Sequence, residues 1–200
     1  MISIIKNNSI VLASASPRRS ELLTLARIPF TVVPADIDES VHIGEAPTKY
    51  ALRLAEEKAK AAAGKGGGGR YFIGADTIVV LEGTILGKPV DEDDAFSMLT
   101  SLSGRTHEVI TGICVYDCLT GDSAPLAVTT TVTFTDLTEQ DIKNYVATGC
   151  PMDKAGAYAI QGGAASFVER IDGSYTNVVG LPTCELVRLL RSLGVVGARQ

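Results

Sequence analysis

The stretch Ser9-Ile-Val-Leu-Ala-Ser14-Ala-Ser-Pro-Arg-Arg-Ser-Glu-Leu-Leu23 decides how the rest of the chain is read. Ile10 to Ala13 is a short apolar run of strand length. Ser16 and Pro17 then open a helix at once. Serine is a favoured N-cap, and proline suits the first helical position, where its missing N–H would have had no partner. Leu22, Leu23 and Ala26 give that helix an apolar stripe. A strand that turns directly into a helix points to α/β architecture.

Working outward, Phe30–Val33 reads as a second strand, and a second helix runs from about Thr48 through Leu52, Ala55 and Ala59 to Ala63. Gly64-Lys-Gly-Gly-Gly-Gly-Arg70 is a connector with no preference for either element. Tyr71–Ile73 and Thr77–Leu81 are two β-rich runs, and Glu82-Gly83 turns the second into Thr84–Leu86. Asp91 to Leu102 is helical, with acids in its first turn where the helix dipole favours them. Val109–Tyr116 and Leu126–Phe134 are two longer strands joined through Thr120-Gly-Asp122. Thr138 caps a helix that Gly149 stops, Phe167–Ile171 alternates like a strand, and Pro182–Leu193 makes a last amphipathic helix before Gly194. Helices and strands mix without strict alternation, so the sheet is expected to be mixed rather than purely parallel.

Two hundred residues make one ordinary domain or two small ones, able to bury roughly 70% of the unfolded surface. Eighteen basic residues against twenty-three acidic give a net charge of −5, and both halves of the chain are acidic. A nucleic-acid polymer is therefore a poor partner, although a local cluster of cations can still hold one small anion. The N-terminus has no signal-peptide core, and no run approaches membrane-spanning length. Cys114, Cys118, Cys150 and Cys184 form no paired motif and have only His42 and His107 to assist them. They are expected to be reduced, mostly buried thiols rather than zinc ligands.

Chemistry is suggested at a few places. Ser14, Ser16, Arg18 and Arg19 gather hydroxyls, guanidiniums and free backbone N–H groups at a helix start, which suits a phosphate. A plainly capped helix with arginines in solvent fits the same residues. Asp76, in Gly74-Ala-Asp-Thr77, lies between apolar runs where an unpaired charge is costly. It is either a base or metal ligand, or the closure of an Asx turn. Gly83-Thr-Ile-Leu-Gly-Lys88-Pro89 looks like a P-loop but has one residue too few between its glycines, and proline follows the lysine. Lys88 could still reach a phosphate from its loop. Gln161, among small residues, carries an amide suited to a base edge. His42 and His107 fit no Ser/His/Asp pattern.

Taken in order, Ser14–Arg19, Arg53-Leu-Ala-Glu-Glu-Lys58-Ala, Gly74–Thr77, Gly87-Lys-Pro89, Ser103-Gly-Arg-Thr-His-Glu-Val-Ile-Thr-Gly112, Ala155-Gly-Ala-Tyr-Ala-Ile-Gln-Gly162 and Ser174-Tyr-Thr-Asn-Val-Val-Gly-Leu-Pro182 resemble the Maf family of nucleoside triphosphate pyrophosphatases. The resemblance implies a single domain over residues 1–200. Its fold would be inosine-triphosphatase-like, a mixed twisted sheet flanked by helices, elongated, with two lobes around a central cleft. It implies cleavage between the α and β phosphates with a divalent cation, Mg or Mn, by a cytoplasmic enzyme that is often a homodimer. Asp76 matches the proton acceptor, and Arg18, Thr77 and Gln161 match positions tied to substrate choice. Ser14, Arg19, Lys58 and Lys88 join them as expected phosphate-binding residues, and Glu39, in Asp36-Ile-Asp-Glu39, joins Asp76 as an expected metal ligand, although a solvated loop acid fits it as well. The combination resembles the branch acting on dTTP and UTP. A 7-methyl-GTP pyrophosphatase and a non-catalytic septum or cell-division regulator are the alternatives.

Overall fold

In the computed structural model, which describes residues 2–4, 9–66 and 68–198, the opening stretch folds as a strand followed by a helix. β1 (Ile2–Ile4) precedes β2 (Ile10–Leu12), and α1 (Pro17–Leu25) follows with Pro17 in its first turn. Ser16 occupies the N-cap position, but its hydroxyl makes no capping bond. Its N–H donates instead to the Ser14 hydroxyl at 3.2 Å. β3 (Thr31–Val32) is shorter than expected, and α2 (Pro47–Gly64) runs as expected to the glycine connector.

The two β runs on either side of Gly74–Asp76 are one continuous eleven-residue strand, β4 (Tyr71–Leu81). Gly74 reads as a breaker locally, yet its hydrogen atom is required by the helix above it. A Cβ there would lie 1.9 Å from the Ala55 carbonyl oxygen. Glu82 and Gly83, with φ of 49° and 81°, make the primed turn into β5 (Thr84–Leu86), antiparallel to β4.

α3 (Glu92–Leu102) starts at Asp91, whose carboxylate accepts the Asp94 N–H at 2.8 Å. β6 (Thr106–Asp117) and β7 (Asp122–Phe134) extend beyond their expected ends to a tight turn at Gly121. In β6, a Cβ on Gly112 would lie 2.3 Å from the Ala51 carbonyl oxygen, a second close approach of α2. α4 (Glu139–Val146) opens on a reciprocal Thr138–Asp141 capping box. Three 3-10 turns lead to β8 (Val168–Asp172), and α5 (Tyr175–Val179) is a short helix that follows. α6 (Thr183–Ser192) and β9 (Val196–Ala198) complete the chain, with β9 antiparallel to β1.

The main sheet has seven strands in the order β3-β2-β4-β6-β7-β8, with β5 added on β4. β2 is parallel to both β3 and β4, whereas β7 and β8 are antiparallel, so the sheet is mixed and the fold is α/β. The chain divides into two compact units. One comprises Met1–Asp76, Thr111–Val128 and Gly180–Gln200, with Val11, Ala13, Ala59, Ala62 and Phe72 among its buried residues. The other comprises Thr77–Ile110 and Thr129–Val179, around Leu99, Leu102, Phe134, Tyr145, Tyr158 and Phe167. Among the described residues, no helix is long and apolar enough to cross a membrane. The cysteines correct the sequence expectation: all four are free, but only Cys114 is buried. Cys118 lies beyond the end of β6, Cys150 beyond α4, and Cys184 on an outward position of α6, all places that face water.

Gly74→Ala should therefore destabilise the protein by about 1–3 kcal/mol, because the new methyl group meets helix backbone that cannot rotate away. Gly64→Ala, with open space around its Cβ position, is the matched control and should be neutral or slightly stabilising. Thermal or urea unfolding checks both, and equal midpoints for Gly74→Ala and the parent would contradict this seating of α2.

Candidate active site

In the sheet order β3-β2-β4, the chain leaves β2 through α1 to one side and comes back through α2 to the other. Connections that diverge from adjacent parallel strands leave room past the strand ends, where α/β sheets bind ligands. Ser14 sits past the end of β2, and Asp76 lies inside β4, beyond the part of that strand that pairs with β2. Leu12 of β2 pairs with Ile73 of β4, Ser14 follows two residues later, and Asp76 three residues after Ile73.

α2 supplies the third element. Ala55 lies against Gly74, and Lys58, nearly one turn on, carries its ammonium to the Asp76 carboxylate at 2.6 Å. The same ammonium lies 2.6 Å from Glu39 Oε1. Lys58 and Asp76 are both 8% exposed, so this is a buried ion pair, while the Glu39 carboxylate is about half exposed. A buried charge persists only when paired, and here a single ammonium answers two carboxylates.

Arg19 forms the second cationic centre. Its Nε donates to the Gly180 carbonyl at 2.8 Å, and Nη1 donates to the Ser14 hydroxyl at 3.0 Å. Burial weakens its hold on its proton and neighbouring Arg18 adds to that effect, while the charges of Asp76 and Glu39 oppose it. The guanidinium nevertheless stays charged at any working pH. Arg18 and Arg19 lie in the first turn of α1, which contains no acidic residue. Two cations at the positive end of a helix dipole are unfavourable unless an anion joins them.

Ser14, Arg18, Arg19, Glu39, Lys58 and Asp76 thus belong to one compact unit, and Ser14, Arg19, Glu39, Lys58 and Asp76 are linked by the bonds and charges just described. Thr77 follows Asp76 in β4 and is half-buried. Lys88 and Gln161 are exposed residues of the other unit. Their loops are joined by a hydrogen bond from the Gly156 N–H to the Gly87 carbonyl at 2.9 Å. His42 is exposed. His107 is buried against Phe134 and Tyr158, with Nε2 2.8 Å from the Tyr158 hydroxyl and its pKa pushed down to about 4 by burial.

Two neighbours of the cluster went unread in the sequence. The Tyr50 hydroxyl donates to the Glu39 carbonyl at 2.7 Å, and burial, with the nearby Asp76 and Glu39 charges, pushes its pKa up to about 12. Glu45 accepts a two-pronged bond from Arg53 at 2.7 and 2.8 Å. The available signal was the run of polar side chains Tyr50, Arg53, Glu57 and Lys58 at helical spacing on an otherwise Ala- and Leu-rich helix.

Comparison with known proteins assigns the sequence to a family. The dTTP/UTP pyrophosphatase of Citrifermentans bemidjiense is 58% identical over 96% of this chain and 99% of its own. That of Geobacter sulfurreducens is 61% identical over 94% and 97% respectively. Among solved structures, the Staphylococcus aureus Ham1 protein aligns over 64% of this chain and 72% of its own, with a TM-score of 0.46 and 17% identity, too distant to bear on the site. The family description "Maf-like protein" matches residues 9–193, nearly the whole chain and every residue of the cluster, and the chain belongs to the Maf family.

Proposed function

We propose that this protein is a cytoplasmic nucleoside triphosphate pyrophosphatase that converts dTTP and UTP to the monophosphate and pyrophosphate. The observation that carries this reading is the single ammonium of Lys58 held 2.6 Å from both Asp76 and Glu39, with Asp76 just beyond the segment over which the parallel strands β2 and β4 pair. The curated relatives just described bear that activity in their names.

Formally, the charges of Lys58 and Arg19 cancel those of Asp76 and Glu39. Attraction for a triphosphate then has to come from Arg18, from Lys88 and from a cation that travels with the nucleotide. The donor set fits such a cation. Two carboxylates sharing one positive charge are hard oxygen donors of the kind Mg and Mn accept, with substrate phosphates and water completing the shell. Asp76 and Glu39 would hold such an ion together with the phosphates of the substrate. Bound there, the ion would neutralise phosphate charge and favour deprotonation of water.

The chain's own residues do the rest. Arg18 and the N-terminus of α1 take phosphate oxygens, and Arg19 with Ser14 fixes the turn that presents them. Asp76 accepts the proton of the attacking water. The water oxygen bonds to the α-phosphorus, the bond from that phosphorus to the α–β bridging oxygen breaks, and pyrophosphate leaves. Lys58 pairs with the Asp76 carboxylate and aims it, and Lys88 takes charge developing on the departing phosphates. Gln161 offers an amide donor and acceptor to the edge of uracil or thymine. Cytosine reverses that pattern at two positions, and an unmade buried hydrogen bond costs ~1–3 kcal/mol.

Pyrophosphate release over a nucleotide panel with Mg or Mn tests the proposal. dTTP and UTP should be the best substrates, CTP clearly worse and purine nucleotides poorest, and Gln161→Glu should flatten that ranking. A parent enzyme that prefers 7-methyl-GTP would overturn the base assignment alone. Asp76→Asn should keep the fold and lose roughly 10²–10⁴-fold in turnover, the usual contribution of a general base. Hydrolysis of UTP by this variant at the parent rate would remove Asp76 from the mechanism.

A further inference from the structure

The Glu39 carboxylate is about half exposed, so its own burial does not fix it. It sits in loop 33–46, which joins β3 to α2 and contains no regular structure. Loops of this length usually carry a function, and an unanchored one would let Glu39 wander. An exposed ion pair is worth too little to hold such a segment by itself.

The anchoring comes from α2 and the residue that caps it. Lys65, the C-cap, donates to the Pro34 carbonyl at 2.9 Å. Tyr50 donates to the carbonyl of Glu39 at 2.7 Å. Arg53 donates from Nη2 to the carbonyl of Ser40 at 3.0 Å, and from Nε and Nη2 to the Glu45 carboxylate at 2.7 and 2.8 Å. Glu45 Oε2 also accepts the His42 N–H at 3.1 Å. The carbonyls of two successive residues, Glu39 and Ser40, are therefore held by one helix, whose Lys58 meets the Glu39 side chain. The Arg53 guanidinium lies 5.5 Å from the centre of the Tyr50 ring, so the two holders also brace each other. Arg53 holds the Glu45 carboxyl down at about 2, so the pair stays ionised wherever the enzyme would work. Its contribution is complete above the ordinary carboxylate range and is lost progressively as pH falls from there through about 2.

We infer that Arg53 is a positioning residue for the reaction, acting through Ser40 and Glu45 to present the Glu39 carboxylate beside Lys58 and Asp76. This rests on the proposed role of Glu39. Arg53 does not itself need to touch the nucleotide, and its planar fork is what lysine lacks.

The test is a double-mutant cycle on kcat and KM for dTTP, with unfolding midpoints measured for every variant. Arg53→Met should lower kcat roughly 10–100-fold, the scale of a misplaced catalytic group, with KM little changed. Arg53→Lys, which keeps the charge without the fork, should recover only part of that loss. In a Glu39→Gln background, Arg53→Met should cost almost nothing more, because the group it positions has already been disabled. Glu45→Gln, a milder cut in the same clamp, should show the same non-additivity and serves if Arg53→Met does not fold. Equal losses in the two backgrounds, or a loss confined to KM, would overturn the inference while leaving Glu39 in place. Full activity of Glu39→Gln would overturn the role of Glu39 and the inference with it. Parent-like activity of Asp76→Asn would count against the proposed mechanism separately.

Discussion

The site depends on how closely α2 can lie on the sheet. Gly74 in β4 and Gly112 in β6 leave no room for a Cβ beneath Ala55 and Ala51, and these two bare positions let the helix backbone rest directly on the strands. Packing at that distance is unforgiving, because backbone cannot move aside as a side chain can. Once α2 is seated, the helical repeat sets the rest. Lys58 arrives over Asp76, while Tyr50 and Arg53 reach the loop that carries Glu39. Two missing methyl groups thus fix a lysine, a loop and two carboxylates at once.

Electrostatics then explains how an acidic chain can be adapted to a polyanion. Net charge describes average solubility, whereas binding follows the local field. Around Asp76 the field is close to balanced, because Lys58 and Arg19 answer the two carboxylates. Balance suits a site that must hold charged groups out of water before substrate arrives. Excess attraction would have to be introduced with the ligand and its cation, or borrowed from Arg18 at the α1 N-terminus. Two of the Arg19 donors are already committed to Gly180 and Ser14, so its value lies partly in making the turn after β2 rigid.

Legibility in the sequence followed the range of the interaction responsible. The passage from β2 to α1 was legible because its signals, an apolar run and Pro17 after Ser16, act within a few residues. Asp76 was legible as a misplaced charge, but the continuity of β4 around it was not. Gly74 looks like a breaker until the helix above it is known. The Ser16 hydroxyl was expected to cap α1 and does not, while the Ser14 hydroxyl accepts the Ser16 N–H, a local bond the sequence did not announce. Glu39 was expected beside Asp76, but what holds it there was not legible, since its partner lies nineteen residues on and its anchors are Tyr50 and Arg53. Three cysteines expected inside lie outside, because composition carries no information about which side of a turn or helix a thiol faces.

The segment bearing Gln161 shows a different way of making an exposed group definite. Gln161 is itself exposed, yet the residues before it are tied into the core of their unit. Gly156 sits at φ 65°, where a Cβ would meet Val79 at 2.9 Å, and its N–H is bound to Gly87. Ala157, wholly buried, is also left-handed at φ 58°, a conformation that L-residues adopt only when their surroundings over-determine it. Tyr158 is buried against His107 and Phe134, and the Ala159 N–H donates to the Tyr145 hydroxyl at 3.1 Å. In the role proposed for Gln161, an amide that distinguished uracil from cytosine would have to arrive at a fixed angle, since its selectivity would be the difference between a made and an unmade hydrogen bond. Burying the amide would also fix it, but would close it to substrate. Strain and aromatic packing in the preceding residues supply the rigidity instead and leave Gln161 accessible.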